Sequence, residues 1–76
     1  MALSFKHKTS NGVTGFALES FLEFLTGEKP LKTTFENKNF TFYMKSALFE
    51  NDKIKTIFER FEKFYFIKIK NINELN

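Results

Sequence analysis

The chain has no cysteine and no tryptophan, one histidine, one arginine, one proline and three glycines. Each shortage excludes something. Without cysteine there is no disulfide, no thiolate metal site and no need for an oxidising compartment. His7 alone cannot build an imidazole cage around a metal ion. Gly12, Gly15 and Gly27 are too scattered for a phosphate-cradling loop, and Asn11-Gly12-Val13-Thr14-Gly15 lacks the Walker lysine. Arg60 stands alone against 11 lysines. Reading base edges favours the guanidinium fork, so sequence-specific DNA recognition is disfavoured. No stretch approaches the roughly 20 apolar residues of a membrane span. The segment Met1 to Lys8 lacks the apolar centre of a secretory signal. We therefore expect a soluble chain with no metal, no cofactor and no membrane partner.

What is abundant is phenylalanine, 12 of 76 residues. A chain of this length forms a single compact domain, 1-76, and buries roughly 60% of its unfolded surface. Many domains this small add a staple; here packing must suffice. Each buried aromatic ring brings about 150–250 Å² of contact area. So small a globule has few enclosed positions, so some of these rings are expected at the surface. The net charge of +3 is a mild bias and weak support for a nucleic-acid partner.

The local pattern divides cleanly. Leu3, Phe5 and His7 alternate with Ser4, Lys6 and Lys8, a strand signal, and Thr9 to Gly12 reads as a turn. Thr14 caps a helix, with Val13 and Leu18 at the two positions of a hydrophobic staple. Leu18, Phe21, Leu22 and Leu25 form its apolar stripe, and Gly27 followed by Pro30 ends it. Phe16 projects toward the polar side. Leu31 to Glu36 and Phe40 to Lys45 alternate around a turn-like Asn37-Lys38-Asn39, which predicts a hairpin. Tyr43 points away from Phe40, Phe42 and Met44. Ser46 to Glu50 is a strand or a loop. Asn51 or Asp52 caps a second helix carrying Ile54, Ile57, Phe58, Phe61 and Tyr65. Its period then switches to two at Tyr65, Ile67 and Ile69, so the helix ends near Phe64 and a strand follows. The sum is an α+β domain with four or five short strands and two α-helices.

Catalysis needs a constellation, and none stands out. Glu19 and Glu23 lie one helical turn apart, and Glu59 and Glu62 flank Arg60; both pairs read as solvated helix faces. His7 has no serine or carboxylate motif beside it. We expect no enzyme. Lys6, Lys8, Lys68 and Lys70, with Phe66 or Tyr43 nearby, would suit single-stranded nucleic acid if the first and last strands were neighbours. A lysine-protected sheet edge explains them as well. Phe16, Phe24, Phe49 and Phe66 fit no core face. Apolar surface of that kind marks a partner site, so these four, with Tyr43, Lys68 and Lys70, are the candidate contact residues.

The run Val13-Thr14-Gly15-Phe16-Ala17-Leu18-Glu19-Ser20-Phe21-Leu22, together with length and a cysteine-free Lys/Phe/Asn-rich composition, resembles the internal head proteins of T-even bacteriophages. That resemblance implies two small β-sheets with two helices. It implies a precursor trimmed by the head protease, packaged in the virion and injected with the DNA. In the host cytoplasm such a protein inhibits a modification-dependent (type IV) restriction endonuclease that attacks glucosylated hydroxymethylcytosine DNA. On this reading Met1 is an added or a retained start residue. The partner is then a host protein rather than a small molecule, and the chain acts as a monomer. The alternatives are a nucleic-acid-binding module and an inhibitor of another host protein.

Overall fold

The computed structural model describes residues 12–75. The strand expected at Leu3, Phe5 and His7, and the basic positions Lys6 and Lys8, lie outside them. The order is α1 (Gly15–Thr26), β1 (Lys32–Glu36), β2 (Asn39–Met44), a 3-10 helix (Ser46–Glu50), α2 (Asp52–Tyr65), β3 (Lys68–Asn71) and a short 3-10 turn (Ile72–Glu74).

The helix boundaries follow from capping chemistry. Ala17 N–H donates to the Thr14 hydroxyl at 3.2 Å. Gly27 takes the left-handed conformation, φ 82°, and its N–H returns to Glu23 O. Of the two candidate caps for α2, Asn51 is the one used: its carboxamide oxygen accepts from Lys53 N–H and Ile54 N–H at 2.9 and 3.3 Å. The hairpin closes through Asn37 and Lys38, both at positive φ. That geometry matches the right-handed twist of the flanking strands.

The sheet corrects the expectation of two sheets with four or five strands. The described residues form one α+β unit with a single three-stranded sheet, ordered β1-β2-β3. β1 and β2 are antiparallel, with Phe35 opposite Phe40 and Glu36 opposite Asn39. β3 adds to β2 in parallel, with Ile69 beside Phe42. The chain makes that crossover through the 3-10 helix and α2, as parallel neighbours require. Ser46–Glu50 is therefore neither strand nor loop: Leu48 N–H bonds to Lys45 O, Asn51 N–H bonds to Leu48 O, and Leu48 is buried.

One face of the sheet and both long helices enclose the core. Leu18, Leu22, Phe40, Phe42 and Met44 are fully buried, joined by Leu48, Phe58, Phe61, Ile67 and Ile69. Phe40 and Phe42 stack at 5.7 Å and 16°, and Phe35 tilts onto Phe40 at 4.8 Å. Two carboxylates expected on solvated faces instead tie helices to the sheet. Glu19 accepts from the Thr33 hydroxyl at 2.7 Å. Glu62 accepts from Ile69 N–H on β3 at 2.8 Å.

Candidate protein-binding surface

α1 carries more apolar surface than the sheet covers. Leu18 and Leu22 reach the core. Phe21 and Leu25, one position around the helix, are nearly half exposed, which departs from their place in the predicted stripe. Phe24 lies further round and is 86% exposed. On α2, Phe61 is buried, Tyr65 is half-buried and Phe64 is exposed. The surplus from the two helices meets in an open groove of about 290 Å³ lined by Phe21, Phe24, Leu25, Phe61 and Tyr65.

An aromatic chain of contacts builds the α2 wall. Phe61 and Tyr65 sit 5.1 Å apart. Phe64 meets Tyr65 edge-on at 4.8 Å and 87°. Phe64 also lines a second depression with Arg60 and Lys63. The two depressions thus adjoin through the Phe64–Tyr65 pair, and the aromatic floor runs into a cationic rim. Phe64 was not singled out from sequence because it opens the apolar run Phe64-Tyr65-Phe66-Ile67, where the helix was expected to end. The signal that places it outside is its position one turn after Arg60 and about 120° around the helix from the buried Phe58.

The remaining candidates fall in three places. Phe16 is exposed in the first turn of α1, about 12 Å along the axis from Phe24 and on the Glu19/Glu23 flank. Phe49 is turned inward: it is half-buried, packs against the core and tilts onto Phe58 at 5.1 Å. Unlike Phe16, Phe24 and Phe66 it is not exposed, because the 3-10 helix directs it toward the core. Tyr43, Lys68 and Lys70 share the outer face of the sheet. There the register sets Lys32, Tyr43 and Lys70 in one row and Thr34, Thr41 and Lys68 in the next.

Phe66 occupies a special position. It ends α2 in the left-handed conformation, φ 58° and ψ 48°, with its ring 60% exposed. Glycine usually takes this place, and a side chain there costs about 1–2 kcal/mol. Phe66→Gly should relieve the backbone, less about 0.5–1 kcal/mol for glycine's freedom in the unfolded chain. We expect a net gain up to about 1 kcal/mol, read as a melting temperature several degrees higher. A lower melting temperature would mean that the ring packs on the fold.

Among the described residues no group of three His, Cys, Asp or Glu side chains is arranged to hold a metal ion. No helix among them is long and apolar enough to cross a membrane. No protein-family model matches the chain, and no curated protein or solved structure shows significant similarity to it.

Proposed function

We propose that the chain is a phage internal head protein that travels in the virion, enters the host cytoplasm with the DNA, and inhibits a type IV restriction endonuclease acting on glucosylated hydroxymethylcytosine DNA. It works by stoichiometric binding rather than catalysis. The observation that carries the binding reading is the aromatic groove between α1 and α2, with Phe24 almost wholly in solvent. Large exposed apolar surfaces rimmed by polar groups are typical of protein-interaction sites, and aromatic residues are enriched at interface centres. The choice of a nuclease as partner is supported by the resemblance of the Val13 to Leu22 run to T-even internal head proteins. The body's size, with a radius of gyration of 11.4 Å, suits delivery together with DNA.

The test is a cleavage assay on glucosylated DNA, titrated with this protein while DNA stays in large excess. Cleavage should vanish near a one-to-one ratio with the nuclease. Undiminished cleavage would overturn the assignment.

The second reading, a nucleic-acid-binding module, is favoured by the Lys32–Tyr43–Lys70 row on the sheet. It requires that inhibition appear only when the protein saturates the DNA, and that DNA affinity fall steeply with salt.

A further inference from the structure

We infer that the α1–α2 groove receives a helix of the partner protein, one with an apolar stripe flanked by carboxylates. The inference rests on the protein-binding reading and deepens it by stating what the groove holds.

The first argument concerns backbone hydrogen bonds. Among the described residues, the groove is walled by side chains of two helices. The peptide groups in the middle of those helices are already paired internally. An extended segment laid between them would find no partners for its own N–H and C=O groups, at about 1–3 kcal/mol for each buried group. A helix brings its backbone already satisfied. Strand addition needs a sheet edge instead, and on β3 the Ile69 N–H is already taken by Glu62.

The second argument is charge. The groove side of α1 carries Ala17, Phe21, Phe24 and Leu25, none of them charged. Its acids, Glu19 and Glu23, lie on the other flank, and Glu19 is held by Thr33. The α2 rim carries Arg60 and Lys63 beside Phe64, with Lys53 two turns earlier on the same face. Arg60 and Lys63 also line a surface with Glu59 and Glu62, and those two acids lie further round α2 from Phe64 than the cations do. A visitor therefore meets an apolar floor and a cationic rim. Apolar anchors at i, i+3, i+4 and i+7 with flanking acids fit both. A second copy of this chain would set the same cations against one another, which disfavours it.

The experiment uses isotope-labelled full-length protein and three synthetic helical peptides of equal length. One has a leucine stripe flanked by glutamates. One has the same stripe flanked by lysines. One keeps the glutamates but replaces the leucines by alanine. The first should shift amide resonances around Phe24, Phe61 and Phe64, and saturate at several-fold lower concentration than the second. The third should do neither. Arg60→Glu with Lys63→Glu should reverse the preference between the first two, and Phe24→Ala should weaken both. No shift in α1 or α2 at millimolar peptide, equal affinity for both charge patterns, or shifts confined to the sheet would each overturn the inference. So would self-association in sedimentation that Phe24→Ala abolishes, because the occupant would then be a second copy. The nuclease is absent from this experiment. Failure here leaves nuclease inhibition to be explained by another surface, whereas failure of the cleavage assay leaves the groove with a different partner.

Discussion

Phe42→Ala is expected to remove a third or more of the stability of this domain. Phe42 sits mid-sheet, fully buried, with Thr33 beside it on β1 and Ile69 on β3. Its ring stacks on Phe40. Truncating a buried phenylalanine costs about 3–5 kcal/mol through lost transfer energy and the cavity left behind. A 76-residue domain has about 4–11 kcal/mol in total. No disulfide limits the unfolded state, because the chain has no cysteine. Urea unfolding followed by far-UV circular dichroism should show the midpoint fall by a third or more. Phe42→Leu, which keeps most of the volume, should cost far less. A loss below about 1 kcal/mol for the alanine variant would mean that the residue is not enclosed as described.

What could be read in the sequence was what is local. Thr14 and Gly27 mark both ends of α1 because capping and the left-handed stop depend on neighbouring residues. The hairpin was legible because alternation flanks Asn37 and Lys38. The change from period 3.6 to period two after Tyr65 announced β3. The partner of β3 was not legible: its parallel pairing with β2 closes across the whole of α2, and nothing in Lys68–Asn71 names the strand it joins. Ser46–Glu50 is too short for any period to declare itself, and Leu48 decides its course by burial. Glu19 and Glu62 looked solvated because their partners lie 14 and 7 residues away. The groove was half legible. Phe24 sits off the stripe and was expected outside. Phe21 and Leu25 sit on the stripe and are nonetheless nearly half exposed. A helical stripe tells which way residues face. It does not tell whether a small three-stranded sheet is wide enough to cover them.

That surplus of uncovered aromatic surface leads to the second large effect. Phe24→Ala should leave the fold intact and abolish most of the inhibition. With 86% of Phe24 exposed, the folded state loses little packing, and alanine is the better helix former by a few tenths of a kcal/mol. The melting temperature should stay level or rise slightly. An aromatic anchor at an interface centre is commonly worth about 2 kcal/mol or more, which is roughly a thirtyfold loss of affinity. Titrated at a nuclease concentration well below the dissociation constant, the variant should need about thirtyfold more protein to reach half inhibition. Phe16→Ala is the matched control. It removes the same ring from the same helix, but at a position away from the groove, and its inhibition curve should move far less. If the two variants weaken inhibition equally, the contact extends along the whole outer face of α1. If only Phe16→Ala weakens it, the nuclease docks on the Glu19/Glu23 flank and the groove is not the site.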